Sequence, residues 1–203
     1  MKIVIGITGK LGSGKDYIAN NVIIPVIEKF NYRYLQCAFA DQIKVNVMTK
    51  SGVSYNDVYE EKTHESRMLL QQEGTEVGRT SDPNIWVNYL SNWIHVNYKR
   101  GISVFVVCDV RFKNEYDFVK NADAGIMLKV VAPNRNHHRL LKESGADPIL
   151  YKKIDNHRSE CDLDDLSLTD FDLVIKNDTT DCIDINELKY KFETLLYEKH
   201  INK

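Results

Sequence analysis

The run Gly9-Lys10-Leu11-Gly12-Ser13-Gly14-Lys15 follows directly on Lys2-Ile3-Val4-Ile5-Gly6-Ile7-Thr8, a continuously apolar, β-branched stretch, and leads into a helix-period segment. The spacing G-x-x-x-x-G-K is credible in that context, between a buried strand and a helix. Glycines there let successive backbone N–H groups turn inward around phosphate oxygens. The helix N-terminus adds partial positive charge, and Lys15 can reach the β and γ phosphates of a nucleotide. A glycine turn without a ligand is the plainer alternative, and the strand-loop-helix setting disfavours it. Asp16 stands where a Ser or Thr hydroxyl usually meets magnesium. A carboxylate at that position either binds the ion, directly or through water, or serves as a first-turn helix carboxylate favoured by the dipole.

Four more apolar runs follow: Tyr34 to Phe39, Ser103 to Cys108, Gly125 to Val131, and Asp172 to Ile175. Helix-period segments separate them. Ala19, Val22, Ile23, Val26, Ile27 and Phe30 recur at steps of three and four, predicting a helix from Lys15 that Pro25 should kink. Asp82-Pro83 reads as an N-cap with proline at the first helical position, ahead of a stripe of Trp86, Tyr89, Leu90, Trp93 and Ile94 that ends before Gly101. Trp86 and Trp93 read as core. Asp184 with Glu187 predicts the start of a last helix. Alternating strands and helices imply an α/β chain, a five-stranded parallel sheet covered on both faces in a three-layer α/β/α arrangement. Residues 132–168 break the pattern with many charges and little periodicity, which points to a small helical lid or an irregular insertion.

The chain has 203 residues, enough for one domain with a sizeable core. A net charge of −2, from 27 basic and 29 acidic side chains, gives no global positive field for a nucleic-acid backbone, so phosphate recognition must be local. Cys37, Cys108, Cys161 and Cys182 are scattered without metal-ligand spacing and read as reduced thiols. The opening apolar run is too short for a secretory leader and no membrane span is evident, so a cytoplasmic protein is expected.

Asp109 closes the third apolar run, where a P-loop protein places an acidic residue beside the phosphate loop; a loop aspartate capping the next helix is the alternative. Arginines are scarce, eight against 19 lysines. Arg79, Arg111, Arg135, Arg139 and Arg158 fall at segment ends or in the 132–168 stretch, whereas Arg33, Arg67 and Arg100 read as surface residues. Phosphoryl transfer gains most from fixed positive donors around the moving group, so the set matters more than any member. His137-His138 resembles a metal pair only superficially, because adjacent helical residues do not share a face. Tyr55 and Tyr59 could flank a base. Lys176-Asn177-Asp178 does not supply the Asn-Lys-x-Asp base reader of a guanine-specific switch, and Lys176 to Thr179 either passes near a donor base or forms a plain turn.

Taken together, several short motifs resemble the deoxynucleoside monophosphate kinases of large DNA phages and viruses, a family itself similar to animal-type phosphomevalonate kinase. They are Gly9 to Asp16, Phe39-Ala40-Asp41-Gln42-Ile43-Lys44, Gly74 to Arg79 with Asp82 and Trp86, Asp109 to Glu115, and His157-Arg158-Ser159-Glu160. The resemblance implies a P-loop NTPase fold with a helical acceptor-binding region at 41–100 and a lid at 132–168. It also implies transfer of the ATP γ-phosphoryl to a deoxynucleoside 5′-monophosphate with magnesium. Lys15, Arg111, Arg135 and Arg139 would then be catalytic, with Gly9, Lys10, Gly12, Ser13, Gly14, Lys15 and Asp16 on the nucleotide. Lys44, Arg79, Trp86, Asp109 and Arg111 would serve the acceptor, and Asp16 and Asp109 the magnesium. The expected partner is a small molecule, with no stable nucleic acid and no membrane; a homodimer is compatible with this reading. Another phosphorylated acceptor, or a nucleotide-binding switch, are the alternatives.

Overall fold

The computed structural model describes residues 1–60, 63–178 and 183–201. Five parallel strands form one sheet in the order β2-β3-β1-β4-β5: β1 (Ile3–Thr8), β2 (Tyr34–Cys37), β3 (Val104–Val107), β4 (Ala124–Val131) and β5 (Leu173–Lys176). The central β1 pairs Ile3 with both Val104 and Ala124. Because strands buried on both faces gain nothing from polar alternation, β1 and β3 are apolar and buried almost throughout.

One face, with Ile3, Ile5, Ile7, Val104, Val106, Ile126 and Leu128, packs into a cluster with Ile18, Val22, Ile23 and Ile27 of the first helix and Phe192 and Leu196 of the last. The other face is close to α7 (Lys113–Lys120): a Cβ added to Gly6 would collide with Met127 and press on Val110 and Val119. Helix α11 (Ile185–Ile201) is preceded by Asp184, whose Oδ1 accepts from the Asn186 and Glu187 amides at 2.9 and 3.1 Å, as predicted.

The first helix begins at Lys15 but is not continuous. A short α1 (Lys15–Ile18) passes through a π turn, Ala19–Ile23, into α2 (Ile24–Lys29). Pro25 cannot donate to the ladder, and the break in regular helix that it brings takes the form of a widened turn just before it.

The chain divides into two compact units, residues 37–100 and the remainder. In the 37–100 unit, α3 (Ala40–Ser51), α4 (His64–Gln71), α5 (Gly78–Ser81) and α6 (Ile85–Lys99) are joined partly by π turns at Asn56–Glu60 and Gln72–Val77. Helix α6 starts two residues later than Asp82-Pro83 predicts. Asp82 Oδ1 accepts from the Asn84 amide at 2.8 Å and its carbonyl from the Ile85 amide at 3.0 Å, so Pro83 lies in a turn that precedes the helix. Trp86, Leu90 and Ile94 are buried as expected, but Trp93 is 55% exposed. The buried line follows the i, i+4 ridge, and Trp93 lies one residue off it.

Residues 132–168 are helical in three pieces, α8 (Pro133–Ser144), α9 (Pro148–Asp155) and α10 (Arg158–Cys161). Asp147-Pro148 starts α9 with the cap-then-proline pattern expected at 82–83: Asp147 Oδ1 accepts from the Ile149 amide at 2.8 Å. No disulfide joins the described cysteines Cys37, Cys108 and Cys161, and Cys182 lies outside the described residues. No described helix is long and apolar enough to cross a membrane.

Candidate active site

Residues 9–14 leave β1 and wrap over the start of α1. Gly14 has a φ of +88°, and a Cβ there would collide with Asn177 Nδ2, so only glycine serves without strain. The neighbour that forbids the side chain also fixes the loop: buried Asn177 donates from Nδ2 to the Ser13 carbonyl at 2.7 Å, and its own amide bonds the Val131 carbonyl. Gly12, at φ +80°, lies directly under the Arg139 Cβ.

Lys15 folds back over its own loop, donating from Nζ to the Gly9 carbonyl at 2.7 Å and the Lys10 carbonyl at 3.2 Å. Burial, reinforced by the nearby Arg111 charge, lowers its pKa from 10.5 to about 8. Asp16, Asp109 and Glu160 all act on it in the opposite sense. The hydroxyl of fully buried Ser13 has no hydrogen-bond partner among the described residues, an orphaned polar atom inside the glycine loop.

Arg111 is fixed at both ends. Its amide, with that of Phe112, donates to Oε2 of buried Glu115 at 2.7 and 3.1 Å. Its Nη1 donates to Glu160 Oε1 and to the Ser159 carbonyl. Burial disfavours the guanidinium charge, but Glu160, Asp109 and Glu115 together more than offset this and Arg111 stays more firmly protonated than usual. Asp109, between Cys108 and Arg111, acts electrostatically on Lys15 together with Asp16. Burial and the Asp16 charge push the Cys108 thiol up to about 12, which makes it an inert core group rather than a nucleophile.

The three-helix stretch supplies the loop's roof. Arg135 presents its guanidinium to Gly14, about 3.5 Å from where a Cβ would stand. Arg139 covers Gly12 with its stem and pairs its head with Glu143 one turn on. Asn136 Nδ2 donates to the Leu11 carbonyl, and Lys10 pairs with Asp164 at 2.7 Å. Asp178 caps α8, accepting from the Asn134 and Arg135 amides at 2.9 and 3.1 Å. Thus Asn177 and Asp178 form a brace for loop and helix; Thr179, the last residue of the stretch considered for base contact, lies outside the described residues. Asp178→Ala should lower stability by about 1 kcal/mol through loss of the cap, read as a fall in the urea midpoint. Beside the loop, between the end of β4 and these helices, lies a cavity of about 420 Å³ lined by Lys10, Val130, Leu140, Tyr151, Leu163 and others.

In the 37–100 unit, Lys44 pairs with Asp41 at 3.4 Å and lies 4.0 Å from the ring centre of Tyr59, which stacks on Tyr55 at 4.5 Å. Arg79 Nη1 donates to the Pro83 carbonyl at 3.2 Å. Trp86 is 1% exposed and its indole N–H bonds the Gly74 carbonyl at 2.7 Å, so its ring is core rather than a surface for an acceptor. His137 Nδ1 lies 3.0 Å from the Tyr151 hydroxyl, and no cluster of three or more metal-ligating side chains occurs among the described residues.

Residues read only loosely from sequence, Glu160 above all, prove central. Asn177, Asp178, Asn136 and Asp164 carry no local signal for their roles, since each acts on a partner distant in sequence, whereas Glu115 bonds amides only three and four residues before it.

No protein-family model and no curated protein sequence matches the chain. Among solved structures, TT1252 from Thermus thermophilus superposes with a TM-score of 0.50 at 14% identity over 97% of each chain. Shikimate kinase from Acinetobacter baumannii in complex with shikimate gives the same score and identity over 99% of this chain and 96% of its own. With its parallel five-stranded sheet, flanking helices and glycine loop after β1, the chain has the three-layer α/β/α fold of the P-loop kinases.

Proposed function

We propose that the protein is an ATP-dependent phosphotransferase whose acceptor is a deoxynucleoside 5′-monophosphate. The observation that carries this reading is the concentration of Lys15, Arg111 and the Arg135 guanidinium, from three separate segments, around one glycine loop in a chain of net charge −2. A donor triphosphate and a second anionic substrate call for such a set, because charge spreads over the transferring oxygens in the transition state. The motif set at 39–44, 74–86, 109–115 and 157–160 supports the nucleotide acceptor.

The orphaned Ser13 hydroxyl and the glycine-rich loop around it fit nucleotide phosphates. Asp16 and Asp109, both close enough to act on Lys15, fit a hydrated magnesium ion, which takes one or two carboxylates beside phosphate oxygens. That ion would neutralise phosphate charge. Lys15 would leave the Gly9 and Lys10 carbonyls for the nucleotide, Arg111 would hold a transferring or accepting phosphate, and the 132–168 helices would keep water out.

The test is incubation with ATP and magnesium against the four deoxynucleoside monophosphates, their ribose counterparts and phosphomevalonate, with products separated by ion exchange. Deoxynucleoside diphosphate formation is expected; phosphorylation of phosphomevalonate alone would reassign the acceptor. The lowered Lys15 pKa adds a second expectation. Near pH 8 the free lysine is about half protonated, and polyphosphate binding restores its charge, so ATP binding should take up about half a proton. Calorimetry in buffers of different ionisation enthalpy reads this; the uptake should fade towards pH 6.5 and be absent in Lys15→Met.

A further inference from the structure

Three carboxylates of one short segment grip the two loops on which the proposed chemistry depends. Glu160 Oε2 accepts from the Leu11 amide at 2.8 Å while its Oε1 pairs with Arg111. Asp162 Oδ2 accepts from the Lys113 amide at 2.8 Å, and Asp164 pairs with Lys10. The segment's entry is set locally by His157, whose Nδ1 accepts from the Ser159 amide at 3.2 Å. Of the three, only Glu160 joins the glycine loop to the arginine, and its side chain is only 9% exposed.

Arg111 and Lys15 carry like charge, and after desolvation this repulsion is the second cause that lowers the proton affinity of Lys15. Without a carboxylate between the loops, that repulsion would leave the guanidinium free to swing away from Lys15. Glu160 removes that freedom by using both carboxylate oxygens, one on each loop, and the Ser159 carbonyl adds a second acceptor for the same Nη1. A guanidinium has five N–H donors, so this grip on one nitrogen still leaves donor capacity for phosphate.

We propose that Glu160 is a positioning residue: its carboxylate ties Arg111 to the Leu11 amide and so holds the guanidinium at the glycine loop before any phosphate arrives. The inference rests on the kinase reading for its catalytic consequence, but the tie itself does not. Pre-placement acts on the transition state more than on ground-state binding, because it removes reorganisation at the moment of transfer.

Glu160→Gln keeps the size and an acceptor for Leu11 but loses the charge that holds Arg111. The expected result is a fall in kcat of roughly 10- to 100-fold with the KM for ATP changed less than about threefold. In parallel, proton exchange at the Arg111 Nη1, followed by NMR and assigned by its loss in Arg111→Lys, should speed up at least tenfold without any substrate. Should Glu160→Gln fail to fold, Glu160→Asp, one methylene shorter and unable to span both partners, is read the same way. An unchanged Arg111 exchange rate would overturn the tie, and a kcat within twofold of native would overturn its role in transfer. If native protein phosphorylates no acceptor, the kinase reading falls, and the exchange measurement alone then upholds or overturns the tie.

Discussion

Lys15→Met should lower kcat/KM for phosphoryl transfer by about a thousandfold, the loss expected when a charged donor aimed at the transferring group is removed from a water-poor site. The fold should survive. Lys15 is half-buried, and desolvation lowers its pKa to about 8, so at neutral pH the folded protein bears the cost of holding a charge that the unfolded chain solvates freely. The sign follows: a lysine whose pKa falls on folding opposes folding at low pH, and this opposition fades as pH rises from about 8 towards 10.5. Methionine fills the same space without that charge and loses only the bonds to the Gly9 and Lys10 carbonyls. Initial rates together with a thermal melt separate the two effects: activity should collapse while Tm moves by a few degrees at most. A fall in Tm large enough to account for the lost rate would mean that Lys15 serves the fold and not the reaction.

Arg111→Ala should behave differently, damaging both. Turnover should drop by about a hundredfold or more, and stability by about 2 kcal/mol, because Glu160 is left as a poorly exposed carboxylate without its partner. The double variant Arg111→Ala/Glu160→Gln removes that orphaned charge and should regain most of the lost stability while staying inactive. Urea unfolding and initial rates on the single and double variants form the cycle. Recovery of activity in the double variant would show that Arg111 serves only to neutralise Glu160.

Much of this architecture is legible in the sequence because it rests on local pattern. The central strands β1 and β3 are nearly continuous apolar runs, as parallel strands under two helical layers must be, and the glycine loop announces itself by spacing. Local pattern failed where a backbone adjustment depends on what packs nearby. The π turn ahead of Pro25 and the late start of α6 after the Asp82 turn are such places. The helices of the 132–168 stretch were harder to read because their apolar stripes are thin, although Ala132-Pro133 and Asp147-Pro148 hold the same proline-at-N1 signal used at 82–83.

Of the candidate site, Lys15 and Arg111 announce themselves by residue type. Glu160, Asn177 and Asp178 do not: they lie 149, 164 and 44 residues from the loop or helix backbone that they bond. A single polar residue carries no periodicity, and only the folded sheet brings Asn177 from the end of β5 to Ser13 at the start of α1.

The central claim is that the γ-phosphoryl leaves ATP for an acceptor rather than for water. It is tested most directly by following γ-labelled ATP with magnesium and a deoxynucleoside monophosphate, and measuring label in the diphosphate and in inorganic phosphate against ADP formed. The account predicts label in the diphosphate matching ADP one for one, with little inorganic phosphate. Label appearing as inorganic phosphate, with the monophosphate unconsumed, would contradict it and make the glycine loop that of a nucleotide-hydrolysing switch.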